Sequence, residues 1–164
     1  MGEIAFEKAV KGNKKALKEL IKMNSESIYK LAYLHTKYEE DAKIIMKKTI
    51  LYIYDNIHKM SKIDSFKNYI MRITIKYTNE YIEEFGMVDF EESKSDFMYD
   101  TEKIDLYKSI DILEVHLKNV VILTYFYNLS YEEISEILSI NESTVKMYLR
   151  KSLKILKKEL KEDL

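Results

Sequence analysis

The chain of 164 residues has 34% charged and 46% hydrophobic residues and a formal net charge of −1, a balance that excludes a wholly disordered chain and fits one globular domain or two small ones. It contains no cysteine, which excludes disulfides, thiolate catalysis and cysteine-ligated zinc. The absence of proline and the low glycine content favour long helices, so we expect an all-α protein. The sequence has no long apolar run and no basic leader of the kind that predicts membrane insertion or secretion, so we expect a cytoplasmic location.

Apolar residues at helical spacing predict several helices in the N-terminal part of the chain. Phe6, Ala9 and Val10 fit a short first helix that stops near Gly12 and Asn13. The later stripes are Ala16, Leu17, Leu20 and Ile21; Ile28, Leu31, Ala32 and His35; Ala42, Ile45, Met46, Thr49, Ile50, Ile53 and Ile57; and Phe66, Tyr69, Ile70, Ile73 and Tyr77. Helices with complementary apolar stripes pack together, so a compact helical bundle is expected.

Residues 86–105 differ from the rest of the chain in charge. They hold seven acidic and two basic residues, a balance of −5 that leaves +4 for the remainder of the chain. Helical periodicity also lapses in this segment. We therefore predict an acidic linker over residues 86–105, between an N-terminal domain of residues 1–85 and a C-terminal domain of residues 106–164.

The C-terminal part contains a predicted pair of helices. Ser130 followed three residues later by Glu133 fits a capping box, which starts a helix at Tyr131. The apolar pattern breaks after Leu138, and Asn141 can cap a second helix. The expected inner stripe of that second helix is Val145, Leu149, Leu153 and Leu156. Two helices joined by a turn of about three residues form a helix-turn-helix.

The second helix of this pair has a basic outer face. Six basic residues and no acidic one lie between Ser143 and Lys158, which suits a helix that enters a DNA major groove and meets phosphates. The candidate contacts are Ser143, Thr144, Lys146, Met147, Arg150, Lys151 and Lys154. Arg150 is one of two arginines in the chain and is the candidate for bidentate contact with guanine or phosphate. A solvated lysine-rich helix end, with Arg150 paired to Glu136 or Glu142, is the alternative.

One loop and the helix after it place basic residues beside aromatic rings. This combination can hold single-stranded DNA through phosphate charge and base stacking. The candidates for strand opening are Lys59, Lys62, Asp64, Phe66, Tyr69, Arg72 and Lys76. The loop 60–65 offers hydroxyl and carboxylate groups to a flipped base. Because Phe66, Tyr69 and Tyr77 share helical spacing, the alternative is that two or three of these rings belong to the core.

A family resemblance rests on these motifs. The run from Val120 to Leu138, VVILTYFYNLSYEEISEIL, followed by STVK at 143–146 and LRK at 149–151, resembles the promoter-binding C-terminal domain of sigma-70 family factors. The resemblance is strongest to the extracytoplasmic-function group. In the N-terminal part, residues 10–20, 28–32, 41–42 and 68–73 are similar to the family in order and spacing, so that the two matches together span nearly the whole chain.

The resemblance implies a function and a set of partners. Residues 1–85 would bind the RNA polymerase core and open the −10 element, the linker would thread through the polymerase, and residues 106–164 would read the −35 element of promoter DNA. An anti-sigma factor is implied as a regulator. Three departures from the family pattern concern the N-terminal part. Lys43, Ile44, Lys47 and Lys48 replace an acidic, amide-rich stretch, Tyr69 stands where tryptophan is usual, and Lys76 stands where asparagine is frequent.

No catalytic constellation is found. His35, His58 and His116 are too widely spaced for a local metal motif, and the three glycines are isolated. We expect no catalytic residue, no cofactor, no metal and no small-molecule substrate, so the chain is not expected to be an enzyme.

Two further functions remain open from the sequence. The first is a helix-turn-helix transcriptional regulator that binds duplex operator DNA, usually as a dimer, and uses the N-terminal bundle to dimerise or to sense a ligand. The second is a protein-interaction module whose lysine-rich helix docks on an acidic partner. A regulator should bind duplex DNA alone, whereas a sigma-like factor should bind promoters well only together with polymerase.

Overall fold

The computed structural model describes residues 2–60, 65–86 and 106–162. Within these ranges the regular structure is helical and contains no strand, which confirms the all-α prediction. The chain divides into two compact units, Met1–Asp89 and Phe90–Leu164, which we call the first and second units. Apart from Gly86, the predicted linker lies outside the described residues. No helix in the described ranges is long and apolar enough to cross a membrane.

The first unit is a helical bundle. Its helices are α1 (Gly2–Val10), α2 (Lys14–Thr36), α3 (Glu39–Asn56) and α4 (Phe66–Phe85), with a short 3-10 helix, Ile57–Lys59, after α3. Asn13 caps α2, since its side-chain oxygen accepts a hydrogen bond from the Ala16 N–H at 3.0 Å. Helix α2 is continuous over 23 residues and therefore carries both of the apolar stripes predicted between Ala16 and His35. It packs against α1, α3 and α4.

The predicted apolar stripes form the core of the first unit. In α3, the side chains of Ala42, Ile45, Thr49 and Ile53 are buried, as their spacing predicts. A connected cluster joins α1, α2, α3 and α4; it consists of Ala9, Ala16, Leu17, Leu20, Ile28, Ile53, Ile57, Met60 and Ile70. Burial of such side chains is the main favourable term in the stability of the bundle.

A polar contact ties the start of α3 to the end of α4. The Tyr81 hydroxyl donates a hydrogen bond to the Asp41 carboxylate at 2.7 Å. Burial, and next this hydrogen bond, raise the pKa of Tyr81 to about 12. Asp41 lies in the first turn of α3 with Glu39 and Glu40, where the helix dipole favours negative charge. The carboxylate therefore stabilises both the helix start and the α3–α4 contact.

The second unit is built around one buried helix. After a 3-10 helix, Ile110–Ile112, come α5 (Val115–Tyr125), α6 (Tyr131–Leu138) and α7 (Glu142–Glu162). Helix α5 is buried from Leu117 to Leu123 and packs against α6 and α7. It also contains a buried ion pair, because Lys118 is only 1% exposed and its Nζ lies 2.6 Å from the Asp111 carboxylate. Burial lowers the pKa of Lys118, although Asp111 opposes the shift.

Helices α6 and α7 form the predicted helix-turn-helix. Helix α6 begins at Tyr131 with the predicted capping box, in which the Ser130 hydroxyl accepts from the Glu133 N–H at 3.2 Å and the Glu133 carboxylate accepts from the Ser130 N–H at 2.8 Å. Ser139 ends α6 in the left-handed conformation, with φ 54°. Helix α7 begins at Glu142, and the Asn141 carbonyl accepts its first hydrogen bond from Val145 at 3.0 Å.

The inner face of α7 differs from the predicted stripe at one position. Val145, Leu149 and Leu156 are buried as expected, but Leu153 is 41% exposed and the prediction for this residue was wrong. Ser152 is buried in its place, and its hydroxyl donates to the Tyr148 carbonyl at 2.7 Å and lies 3.5 Å from the Leu117 carbonyl. The small side chain of Ser152 lets α7 approach the α5 backbone closely. The buried face of α7 therefore includes Ser152, and Leu153 lies on the exposed side of the helix.

Candidate nucleic-acid interface

The outer face of α7 presents the candidate DNA-binding residues of the second unit. Its exposed members are Ser143, Lys146, Met147, Arg150, Lys151 and Lys154, while Thr144 is half-buried. These side chains stand opposite the packed face formed by Val145, Leu149, Ser152 and Leu156. The fold therefore brings all seven predicted residues of this set onto one helix, with the polar side of that helix open to solvent.

The charge of this face comes from α7 alone within the helix-turn-helix. Helix α6, YEEISEIL, has no basic residue and exposes Glu132 and Glu136. The ammonium group of Lys146 lies 5.6 Å from the ring centre of Tyr131, a cation–π contact that links α7 to the start of α6. Within the described part of the chain, Arg150 forms no ion pair, so the surface pairing with Glu136 or Glu142 that the sequence left open is not formed.

The candidate strand-opening residues of the first unit are, in part, less exposed than the candidate residues on α7. Lys59 is exposed on the 3-10 helix, and Lys62 and Asp64 lie outside the described residues. Phe66, at the start of α4, packs against the core, with its ring centre 5.2 Å from that of Phe6. Arg72 is exposed on α4. The prediction that some of these rings belong to the core therefore holds for Phe66.

Tyr69 is held by a residue that the sequence interpretation did not include. Tyr69 is half-buried against the core and hydrogen-bonds Tyr52 of α3. Burial, followed by this hydrogen bond, raises the pKa of Tyr69 to about 12. Tyr52 comes three residues after the buried Thr49, and this spacing is the sequence signal that places it at the edge of the α3 stripe.

Tyr52 also organises the neighbouring part of α4. Its ring meets that of Tyr77 edge to face, with centres 6.0 Å apart. The Lys76 ammonium lies 5.7 Å from both ring centres and 4.0 Å from the Glu80 carboxylate. Three tyrosines and Lys76 therefore form one connected cluster across α3 and α4, with Arg72 acting on Tyr69 through its charge.

The described residues contain no group of three His, Cys, Asp or Glu side chains placed to bind a metal ion. His35 is buried, with its Nδ1 2.8 Å from the Leu31 carbonyl. His116 lies 3.5 Å from Glu114 and packs its ring against Tyr148, with centres 4.8 Å apart. Each of these two histidines therefore has local contacts that account for its position.

Comparisons with known proteins agree with this architecture. The chain matches the family described as Sigma-70, region 4, over residues 103–156. It is 28% identical to the RNA polymerase sigma factor SigV of Bacillus subtilis over 151 residues, which cover 86% of this chain and 89% of SigV. It is 22% identical to the ECF RNA polymerase sigma factor SigE of Mycolicibacterium smegmatis over 142 residues, 78% of this chain and 55% of SigE.

A solved structure shares the fold. The sigma factor RpoE, in complex with the anti-sigma factor NepR from Bartonella quintana, has a TM-score of 0.69 at 16% identity, over 92% of this chain and 99% of RpoE. The helix-turn-helix match, the similarity to SigV along most of the chain and the shared helical fold all point the same way. The chain is therefore similar to RNA polymerase sigma factors of the sigma-70 family, with relatives in the extracytoplasmic-function group.

Proposed function

We propose that this protein is a sigma-70 family factor of the extracytoplasmic-function group, which binds the RNA polymerase core and directs initiation at promoters that it recognises with both units. Residues 106–164 read the −35 element, residues 1–85 bind the core and open the −10 element, and residues 86–105 connect them. The protein has no catalytic role of its own and acts in the cytoplasm, where the core polymerase works. The observation that carries this proposal is the open basic face of α7 on a capped helix-turn-helix.

At the −35 element, α7 enters the major groove with its N-terminal half. The N-terminal turn brings the exposed Ser143 and the half-buried Thr144 to a phosphate or base edge. About two turns further on, Arg150 reaches guanine with two parallel hydrogen bonds, since its guanidinium is exposed and forms no ion pair within the described residues. Lys151 and Lys154 meet phosphates on the groove wall and release counterions from the DNA.

At the −10 element, the cluster of Tyr52, Tyr69, Tyr77 and Lys76 supports the open strand. Tyr69 is fixed by its hydrogen bond to Tyr52, so its exposed edge is positioned before DNA arrives. A positioned ring stacks on an unpaired base with less loss of entropy than a mobile one. Lys76, Arg72 and Lys59 are exposed and bind the phosphates of the same strand.

An anti-sigma factor is the proposed regulator. RpoE, which shares the fold of this chain, is in complex with the anti-sigma factor NepR. The α7 face and the α3–α4 cluster are the surfaces that such a partner must cover to prevent promoter binding. Their charge is basic in both units, so the covering surface is expected to carry acidic groups.

The test is transcription from a library of promoter fragments by matched core polymerase, with and without this protein. Starts that appear only with the protein establish the function. Arg150→Ala should reduce them about tenfold or more, while Lys108→Ala, which removes one exposed charge outside α7, should leave them unchanged. If an active core gives no starts and the protein alone shifts duplex DNA as a dimer, the chain is a helix-turn-helix regulator instead.

A further inference from the structure

Met147 is an apolar side chain at the centre of the outer face of α7. It is 55% exposed, and the residues one turn away on that face, Ser143, Arg150 and Lys151, are exposed and polar or charged. None of the −35 contacts of the proposed function involves Met147. Single exposed apolar side chains are common on protein surfaces, so the position of this one must decide whether it has a function.

Met147 points directly away from the core of the second unit. Successive residues of an α-helix turn by about 100°, so Met147 lies about 180° from Leu156 and about 160° from Leu149. Both of these leucines are buried. Two exposed leucines of the same helix, Leu153 and Leu160, lie only about 40° and 20° from Leu149 and therefore border the buried stripe. Met147 is the outermost apolar side chain of α7.

This direction places Met147 at the floor of a groove that α7 enters. It comes five residues after Glu142, the first residue of α7, and so lies in the N-terminal half that contacts base edges in a helix-turn-helix. Arg150 and Lys151 lie about 60° and 40° away on its two sides, so they are directed toward flanking base edges and phosphates. The side chain that points straight outward comes closest to the base pairs.

The chemistry of methionine restricts what this side chain can contact in the groove. The thioether sulfur is only a weak hydrogen-bond acceptor, and the rest of the side chain is apolar and flexible. Against adenine, guanine or cytosine, Met147 would cover hydrogen-bonding groups without replacing the water that they bind. The apolar group that the major groove presents is the 5-methyl group of thymine, which Met147 can cover without that cost.

A protein partner is the other class of contact for an exposed methionine. Such a partner would also have to cover the side chains around Met147, which are Ser143, Lys146, Arg150, Lys151 and Lys154. These five residues include four cations and no apolar side chain. The centres of protein interfaces are depleted in charged residues, whereas a thymine methyl group requires only one apolar side chain among cations that meet phosphates. The surroundings of Met147 therefore favour DNA.

We propose that Met147 reads the 5-methyl group of one thymine in the −35 element, beside the guanine that Arg150 contacts. The inference rests on the proposed function, and it adds a base preference that phosphate contacts do not supply. Met147 and Arg150 are three residues apart, which is about 4.5 Å along the helix axis, and base pairs are about 3.4 Å apart. The thymine therefore lies within about two base pairs of that guanine.

The experiment removes the methyl group from the DNA and the thioether from the protein. In a promoter selected by the library assay, each thymine of the −35 element is replaced in turn by deoxyuridine, which lacks only the 5-methyl group. Fluorescence anisotropy measures the affinity of these promoters for matched core polymerase assembled with the natural protein or with Met147→Ala. The affinity of each protein for the core alone is measured in parallel.

The matched control is Met23→Ala, which removes the same side chain from α2, where it is 62% exposed. A second test variant is Met147→Gln, which keeps a side chain of similar length and adds an amide. Far-UV circular dichroism verifies that each variant retains the helical fold.

With the natural protein, deoxyuridine at one −35 thymine should reduce affinity about fourfold, the effect of one buried methyl group. Met147→Ala should bind the thymine promoter more weakly and should no longer distinguish thymine from deoxyuridine at that position. Met23→Ala should retain the full difference. Met147→Gln should shift the preference at that position toward adenine, which an amide can contact with two hydrogen bonds.

The inference is wrong, although the proposed function stands, if no −35 thymine is sensitive to deoxyuridine or if Met147→Ala retains the sensitivity. If Met147→Ala instead loses affinity for the core and keeps the thymine preference, Met147 serves a protein contact and the inference is again wrong. If an active core gives no starts with the natural protein, the proposed function fails and the inference fails with it.

Discussion

The two units present their candidate nucleic-acid residues in different ways. In the second unit, Arg150, Lys151 and Lys154 extend from an open helix face and take no part in the core. In the first unit, Phe66 packs on Phe6 and Tyr69 is bonded to Tyr52, so the candidate residues also hold the bundle together. The candidate residues of the second unit can therefore be replaced without unfolding it, whereas those of the first unit also contribute to its stability.

The two units also differ in the charge of the side chain that each one buries in a polar contact. The first unit buries a neutral phenol against a carboxylate, Tyr81 to Asp41, between two helices. The second unit buries a charged lysine, Lys118, whose carboxylate partner Asp111 lies before α5. A buried charge that loses its partner is far more destabilising than a lost neutral hydrogen bond. The stability of the second unit is therefore more sensitive to the loss of its buried polar contact. Its candidate DNA-binding residues, in contrast, can be replaced with little effect on stability.

Asp111→Asn tests that vulnerability and has the largest expected effect. It removes the carboxylate and leaves the Lys118 ammonium buried without its counter-charge, so the second unit should lose about 3 kcal/mol of stability. The measurement is urea unfolding monitored by NMR through the isoleucine methyl signals of each unit. The signals of the first unit should keep their midpoint.

The matched control for this prediction is the double variant Asp111→Asn/Lys118→Met. It removes both charges and should recover most of the lost stability, because methionine fills much of the same volume without a charge. Equal midpoints for Asp111→Asn and the natural protein would show that Lys118 is neutralised in another way, and the contrast between the units would be lost.

Tyr69→Ala tests the link between recognition and stability in the first unit. Removing a half-buried ring and its hydrogen bond to Tyr52 should lower the stability of this unit by about 2 kcal/mol and should also reduce promoter opening. Tyr69→Phe keeps the ring and should cost about 1 kcal/mol with a smaller loss of opening. Urea unfolding and permanganate footprinting of the −10 region measure the two effects.

The comparison variant is Arg150→Ala in the second unit. It should reduce transcription with no change in the unfolding midpoint, because the side chain is exposed. If Tyr69→Ala also left stability unchanged, Tyr69 would be an independent surface residue, and the two units would not differ in the way described.

Alkaline pH should move the stabilities of the two units in opposite directions. The pKa values of Tyr69 and Tyr81, about 12 in the folded protein against an ordinary 10.0, stabilise the first unit fully below pH 10, and this contribution is lost as the pH rises towards 12. The pKa of Lys118 is lowered from 10.5, so the second unit gains stability as the pH rises towards 10.5. Unit-resolved urea midpoints at pH 8, 10 and 11.5 check both slopes.

Tyr81→Phe isolates the first of these slopes. It removes the hydrogen bond to Asp41 and should lower the stability of the first unit by about 1 kcal/mol at neutral pH. The same variant should lose less stability between pH 10 and 12, because it removes one of the phenols whose pKa is raised in the folded first unit. An unchanged alkaline slope would mean that Tyr81 is not the group responsible.

Local rules predicted the helix-turn-helix better than they predicted the inner surfaces. The capping box at Ser130 and Glu133 depends on residues three positions apart, so the start of α6 is readable from sequence. The burial of Ser152 instead of Leu153 depends on how closely α7 approaches the α5 backbone, more than thirty residues earlier in the chain. Periodicity allows either residue, and only the packing of α5 decides between them.

The candidate sites show the same division. The exposed basic face of α7 follows from helical spacing and charge within one segment. Tyr52 and Asp41 contribute through contacts with Tyr69 and Tyr81 on another helix, and no local pattern pairs these residues. The buried position of Lys118 is equally hidden, since lysine is expected at the surface, whereas here its ammonium group is buried beside Asp111.

Ser139→Gly has the smallest expected effect and tests the helix-turn-helix itself. Ser139 adopts φ 54° at the end of α6, where the N–H groups of Ser139 and Ile140 both bond to the Ser135 carbonyl. A side chain is strained in this conformation and glycine is not, so the substitution should stabilise the second unit by about 0.5 to 1 kcal/mol.

Lys37→Gly makes the matching change at the end of α2, with φ 61°, but it also removes a buried side chain, so the first unit should gain less or lose stability. A gain at Ser139 without loss of promoter binding would show that the turn is a purely structural connection. A loss of promoter binding would mean that the Ser139 side chain takes part in recognition together with α7.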